Sequence, residues 1–430
     1  MKEQKKWIYL LLFCFIIETG SLTFIRNIAG KYISPLFFVM ISIAWAYAGS
    51  KLTFFIQART TAPAISVNKK IRLFIVYATV FAVVVFLVWL WLRSFFSDYP
   101  LDPSYSDIIP MIQRINYRFM HGQEIYESFN DFGYTAFPTY LPAMWMPFLA
   151  ADKLQLDYRT WSYIILCVIL LICTTLLPVK NKNQPWLFLF PFLIFLLYIW
   201  NQPSTLGWSV EPMIAGFYLL LLMGIYFKNA WIMGFALLLC MLSRYAILLW
   251  VPVLFILLFF FASKKRSIYT AIILLTGMLV TFIIPFFLSH PHIFEASYAQ
   301  YNIAALGEWN GQSWQKPGDL PFQLSQGYGF AIYFYQWGKG EIIQRLKLAQ
   351  MVHLIICIAL PLATVLWYWL RKNKRLPLNC HLLFSLKLYL VFFFAFIQVP
   401  YAYLFLTPLL VSSLITILLL LHYVDVIAKE

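Results

Sequence analysis

Along the chain, long apolar runs alternate with short polar clusters. The runs are roughly 17 to 25 residues long, and about 20 apolar residues wound as a helix span ~30 Å of hydrocarbon. None shows the apolar/polar alternation of a barrel strand, and a backbone in lipid must satisfy its own hydrogen bonds, so helices are the expected element. The runs lie near residues 7–25, 34–56, 71–95, 158–178, 185–201, 210–227, 230–243, 246–262, 267–288, 346–370, 381–398 and 401–421. The pattern predicts an all-α, polytopic membrane protein of about twelve transmembrane helices. It forms one membrane domain over 1–430, with a two-helix N-terminal extension in 1–60.

Charge orients the runs. The clusters Lys2/Lys5/Lys6, Lys69/Lys70/Arg72, Lys264/Lys265/Arg266 and Arg371/Lys372/Lys374/Arg375 all fall on one side if the runs alternate, which the positive-inside rule makes cytoplasmic. Both termini are then cytoplasmic. Arg26 and Lys31 are the exception, placed outside. The segment "FPTYLPAMWMPFLAA" (137–151) is apolar but short and proline-rich. Counted as a crossing it would put Lys264, Lys265 and Arg266 outside, so it is expected to dip into the membrane or lie along the outer face. Two long polar stretches then share the outer side: 97–136, extended to 157 by this segment, and 289–345. Loops longer than about 12–15 residues are usually functional or disordered. These two are rich in Trp, Tyr, Phe, Gln and Asp, unlike disordered segments, and are expected to fold together as one site.

Composition sharpens the class. The chain is 62% hydrophobic and 11% charged, with a mean hydropathy of +0.76. The net charge of +15 would suit nucleic acid, but the basic residues sit between apolar runs, where topology accounts for them and nucleic acid is not implied. The six cysteines form no CxxC or Cys/His spacing, so neither a disulfide framework nor a zinc site is implied. The start "MKEQKKWIYLLLFCFIIETGSL" has a basic head but no small-residue cleavage site and is expected to be a first transmembrane helix. No N-x-Ser/Thr sequon occurs, and a bacterial plasma membrane is the expected location.

In "LDPSYSDIIPMIQRINYRFMHGQEIY" (101–126), Ile108, Ile112, Ile115 and Phe119 recur at helical spacing, with Arg114, Tyr117, Arg118 and His121 on the other side. This predicts a short amphipathic helix at the interface. Pro110 is tolerated only in a first turn, so the helix starts near Ser106 or Asp107, and Gly122 stops it. Asp107 has two compatible readings. Its carboxylate can cap the helix by accepting backbone N–H bonds, for ~1 kcal/mol, or it can act as a general base at the outer surface.

The sequence "SDIIPMIQRINYRFMHGQEIYESFNDFGYTAFPTYLPAMWMPF" resembles the first large outer loop of GT-C-fold glycosyltransferases, especially the bacterial polyprenyl-phosphate-mannose-dependent branch. Asp107 matches that family's catalytic Asp, Gly122 and Tyr126 its Gly/Tyr element, and Phe137, Pro138, Pro142 and Pro147 its proline-rich entry. Three runs precede Asp107 where the family usually has one, and Pro138 and Pro142 are separated where its proline pair is adjacent. The layouts of "NAWIMGFALLLCMLSRYAILLWVPVLFILLFFFASKKR" and "FIQVPYAYLFLTPLL" are also similar to the family's. The resemblance implies transfer of a hexose such as mannose from a polyprenyl-phosphate donor to a glycan, lipid or protein acceptor on the outer face, with Asp107 as base and no obligatory cofactor.

Such transfer needs cations for the departing phosphate and a platform for sugar rings. Arg244 falls near the outer ends of two runs with no adjacent acid in sequence, and an arginine left in lipid costs at least ~2.5 kcal/mol, which calls for a polar partner or cavity. The alternative is an arginine snorkelling to headgroups. Its neighbour Tyr245, with Arg114, Arg118, His121, Tyr126 and Arg345, completes the candidate set for donor binding, and Lys347 is a further cation. Trp309 and Trp314 in the second loop suit sugar stacking or an interfacial belt. Asp102 and Asp131 are nearby alternatives for the base but are expected as loop or turn residues, and Glu211 as a first-turn acid. Glu18 and Lys387 lie inside apolar runs and need partners that sequence does not name. His290 and His292 with Glu295 could hold a divalent cation. The rival class is a transporter or flippase for a lipid-linked or amphiphilic solute, although no fixed-period repeat or matched pair of broken helices is visible.

Overall fold

The computed structural model describes residues 2–56, 67–176, 185–311, 315–316, 318–371 and 376–427. Among them the protein is helical throughout, the one β-type pairing being the antiparallel bridge between Phe129 and Ala136. Among the described residues eight helices are long and apolar enough to cross a membrane: Glu3–Thr23, Ile25–Thr53, Ile71–Asp98, Tyr158–Leu176, Lys264–Phe287, Ile342–Leu370, Leu378–Phe396 and Ala402–Leu421. The other four apolar runs also become helices, Leu189–Asn201, Glu211–Tyr226, Ala230–Ser243 and Val251–Phe261. These are short: 11 residues in the last and 16 in the longest, about 16–24 Å against ~30 Å of hydrocarbon.

Burial separates centre from periphery. The apolar stretch of Ala402–Leu421 is 94% buried, whereas those of Ile71–Asp98, Ile342–Leu370 and Lys264–Phe287 are 11%, 17% and 22% buried. Outward rows such as Ile75, Val83, Phe86 and Leu87, or Leu354, Ile358 and Leu362, would be untenable in water and suit a hydrocarbon solvent. Ala402–Leu421 packs against Glu211–Tyr226, Leu189–Asn201 and both N-terminal helices. Glu211–Tyr226 and Ala230–Ser243 form a tight hairpin in which Gly224 is required: a Cβ there would lie 2.7 Å from the Met233 backbone nitrogen. Around Pro285, which cannot donate to the helical ladder, the chain relaxes into the wider turns of Leu279–Phe287.

The N-terminal pair is packed into the bundle. Glu18 and Lys387 are fully buried and pair with each other; Ser42 donates to Glu18 Oε1 at 2.8 Å, and Lys387 donates to the Pro408 carbonyl at 3.1 Å. Arg26, the exception to the charge rule, is buried: Nη1 donates to the Gln326 backbone oxygen (2.8 Å) and side chain (3.0 Å), and its guanidinium lies 4.5 Å over the Tyr328 ring. It ties the first helices to the second polar stretch.

Residues 137–151 do not form a long helix. Pro142–Trp145, Met146–Phe148 and Leu149–Lys153 are successive short turns, with Pro142 and Pro147 each opening one, and Trp145 and Phe148 are fully buried. The second polar stretch is mostly helical, with Ile293–Asn310 its main element and a small core of its own around Trp309, Leu324, Ile332 and Leu346.

Candidate functional site

The approach to Asp107 is held on one side by Arg159, which donates to the carbonyls of Phe96 (3.1 Å) and Tyr99 (2.7 Å). On the other side Tyr99 and Tyr105 pack on Trp208, and Ser106 donates to the Trp208 carbonyl at 3.2 Å. The helix Ile108–Met120 follows, and His121 and Gly122 (φ 65°) end it. Asp107 occupies the N-cap position, but its carboxylate makes no capping hydrogen bond. Oδ2 instead accepts the Tyr134 hydroxyl at 2.9 Å. The capping reading therefore fails for the side chain, because the chain returning through 129–136 brings a stronger donor within reach.

Asp107 keeps some surface open to solvent, yet protein surrounds most of the carboxyl. Burial pushes it above the ordinary Asp range, and the Tyr134 hydroxyl pulls it partly back. Tyr140 and Tyr401 feel the Asp107 charge, and burial first, then that charge among others, holds both hydroxyls well above the ordinary Tyr value. Tyr403 lies within electrostatic reach of both Asp107 and Arg244, and so does Tyr140. Arg244 sits at a break in extended conformation (φ −151°, ψ 146°) between Ala230–Ser243 and the turn Tyr245–Ile247. Its guanidinium is 5.5 Å from the Tyr403 ring centroid, and Nη2 pairs with Glu211 Oε2 at 2.6 Å. Glu211, fully buried at the first turn of its helix, accepts the Thr407 hydroxyl on Oε1 at 2.8 Å. Glu211 is the partner that the sequence required for Arg244.

The second polar stretch joins the same cluster. Tyr401 donates to Glu308 Oε1 at 2.9 Å and stacks on Tyr403. Tyr301 donates to the Gln398 side chain (2.7 Å) and Trp309 Nε1 to its carbonyl (2.9 Å). His290 pairs with Glu124, linking the two polar stretches directly. The cluster thus carries the Asp107 carboxylate, the paired Arg244 guanidinium and four tyrosines, Tyr134 and Tyr140 from the first stretch and Tyr401 and Tyr403 from the 398–403 turn, and Glu308 of the second stretch bonds to Tyr401.

Other sequence candidates have different surroundings. Arg118 is buried and donates to the carbonyls of Glu127 (2.5 Å) and Ile125 (3.5 Å), so it holds its own loop. Arg114 pairs with Asp131 at 2.7 Å, and Asp102 accepts the Ser104 N–H at 2.8 Å as a turn residue. His121 stacks on Tyr117 and its Nδ1 is 2.8 Å from that residue's carbonyl. Tyr126 is buried and donates to the Tyr140 carbonyl at 3.0 Å, fixing Tyr140 in place. Tyr245 is partly exposed and packs edge-on against Phe294. Arg345 clasps the carbonyls of Gly340 (2.8 Å) and Tyr335 (2.7 Å). Trp309 is fully buried, a core residue with no ring face open to a sugar. Trp314 lies outside the described residues. His292 meets Glu295 at 3.3 Å while His290 turns to Glu124, and among the described residues no three His, Cys, Asp or Glu side chains gather as a metal site.

Sequence reasoning did not single out Tyr134, Tyr140, Tyr401, Tyr403 or Glu308. A signal existed for one pair: "VPYAYLF" sets two tyrosines two apart after a proline, and Tyr401 is extended. Comparison with protein-family models, with curated proteins and with solved structures returned no match.

Proposed function

We propose that this chain is an integral-membrane glycosyltransferase of GT-C type, moving a sugar from a polyprenyl-phosphate donor to an acceptor hydroxyl. In this reading the twelve helices all cross, both polar stretches lie on the outer face of a bacterial plasma membrane, and both termini are cytoplasmic. The observation that carries the proposal is the Asp107 carboxylate, free of capping, bonded to Tyr134 and sharing with Arg244 electrostatic reach of Tyr140 and Tyr403. Asp107 takes the acceptor's hydroxyl proton as its oxygen attacks the anomeric carbon. The bond from that carbon to the phosphate oxygen breaks, and the phosphate leaves with the electron pair. Arg244 meets the developing charge: one guanidinium nitrogen is held by Glu211 and the other donors remain. Tyr140 offers its ring and hydroxyl to the sugar, and Tyr403, whose ring packs against Tyr401 and Arg244, offers its hydroxyl. Inverting transfer asks for one base, not the acid pair of hydrolases.

The transporter reading draws on one observation, the Glu18–Lys387 pair buried among the helices. Release of polyprenyl phosphate from labelled polyprenyl-phosphate hexoses, with a membrane extract as acceptor source, separates the two. Release by the wild type that is lost in Asp107→Asn, with donor binding intact, is the expected result. Equal release by both proteins removes Asp107 from the chemistry, and no release by either with any hexose moves the weight to transport.

A further inference from the structure

We propose that a second site, at the far end of the Glu211–Tyr226 and Ala230–Ser243 helices from Arg244, binds the phosphate headgroup of an anionic membrane lipid. A cavity of about 390 Å³ opens there, lined by the C-terminal end of the first helix (Ile225), the start of the second (Met233) and the hairpin residue Lys228 between them. Ser263, the N-cap of the Lys264–Met278 helix, and Arg266 in its first turn also line it, as do Leu378 and Asn379 from the first turn of Leu378–Phe396. At about 1.5 Å per residue, the 14 residues of Ala230–Ser243 put it ~20 Å from Arg244. It is a site separate from the Asp107 cluster, and nothing in the argument rests on the chemistry proposed there.

The lining is one-signed. Among the described residues that line it, Lys228 and Arg266 contribute two cations, Asn379 and Ser263 neutral polar groups, and there is no Asp or Glu. Neither cation forms an ion pair among the described residues. The helix Leu378–Phe396 begins at Pro377 without a side-chain cap, so its first-turn N–H groups also point their positive end toward this space. The remaining wall is apolar, with Leu258, Phe261 and Leu382 among it, and next to Phe261 the ring of Phe260 faces outward. A polar anion with an apolar tail matches both halves. Basic pockets between helices on the cytoplasmic side take phospholipid headgroups in this way, and the neighbouring Lys264 and Lys265 belong to a cluster that the charge rule places there.

Backbone conformation supplies a test. Lys228 is held at φ 57°, a left-handed conformation that glycine adopts without strain and that a lysine resists. Lys228→Gly removes the ammonium while relieving the backbone, so a loss of binding in that single variant, measured beside the double variant with Arg266→Gln, separates loss of charge from loss of fold.

The full-length protein in detergent, titrated with phosphatidylglycerol or phosphatidylcholine and followed by native mass spectrometry, measures the site directly. Phosphatidylglycerol is expected to bind and phosphatidylcholine to bind far more weakly. The Lys228→Gly/Arg266→Gln variant should bind phosphatidylglycerol about tenfold or more weakly, the loss expected for charge-assisted hydrogen bonds. Lys264→Gln/Lys265→Gln, which removes two nearby charges outside the cavity, should bind as the wild type does. Equal binding of the two lipids, undiminished binding by the cavity variant, or an equal loss in the control variant overturns the site. Inorganic phosphate alone, binding as tightly and through Lys228 and Arg266, would make free phosphate the ligand and overturn the lipid assignment.

Discussion

Replacing Tyr134 by Phe removes the one hydroxyl that donates to Asp107 Oδ2 while leaving the ring against Phe132. A hydrogen bond to a charged group contributes about 1.5–3 kcal/mol. This one is partly exposed, with Tyr134 41% accessible, so screening places it at the lower end, about 1.5 kcal/mol. At 1.36 kcal/mol per pH unit, the Asp107 carboxyl should rise by about one unit beyond the upward displacement that burial already produces. The sign follows from the proposed base role. Asp107 accepts a proton only when ionised, so activity is present above its pKa and fades as pH falls through it. Tyr134→Phe should therefore move the acid limb of the rate profile about one unit to higher pH, with the alkaline plateau unchanged. The assay is initial release of polyprenyl phosphate at fixed saturating donor, from pH 4 to 9, for both proteins. An unmoved limb, or one moved to lower pH, refutes the claim that this contact sets the carboxyl. A plateau that collapses at every pH instead assigns Tyr134 to substrate binding.

Three further outcomes test the structure. Lys387→Met or Glu18→Leu alone leaves one buried charge without its partner and should cost about 3–5 kcal/mol, whereas the double variant should return to near wild-type stability or exceed it; additive single effects in detergent unfolding would dissolve the pair. Gly224→Ala drives a Cβ to 2.7 Å from the Met233 backbone nitrogen, so the hairpin must open and about 1–3 kcal/mol of stability should be lost in the same assay, while an unaffected variant contradicts that packing. Cysteines placed at the exposed Tyr105 and Tyr298 should react with an impermeant maleimide on intact cells and one at Lys264 only after permeabilisation; failure of either 105 or 298 to label from outside rejects the shared outer side, and labelling of 264 from outside rejects the opposite side for its basic cluster.

Much of the fold is legible in the sequence because hydropathy and helical periodicity are local properties. The helical runs, the short helix after Asp107, the break at Arg244 and the failure of 137–151 to form a long helix all follow from residues within a few turns of each other. Solvation arguments also reach one step further: an arginine, a glutamate and a lysine in apolar runs each demand a partner. Which partner is another matter. Arg244 meets Glu211, Glu18 meets Lys387, and Arg26 meets Gln326 across separations that no periodicity encodes, since pairing depends on which helix faces the packing turns inward. The same holds for direction. A carboxylate at an N-cap position has backbone N–H groups close at hand, but Tyr134, returning on a later strand of the loop, takes it instead. Tertiary packing likewise decides that Trp309, Arg118 and Arg345 hold the protein's own backbone, because an aromatic ring or guanidinium reads the same in sequence whether its donors face a carbonyl or a ligand. Sequence thus determines that polar groups gather outside the apolar runs, and the packed structure decides which of them share a site.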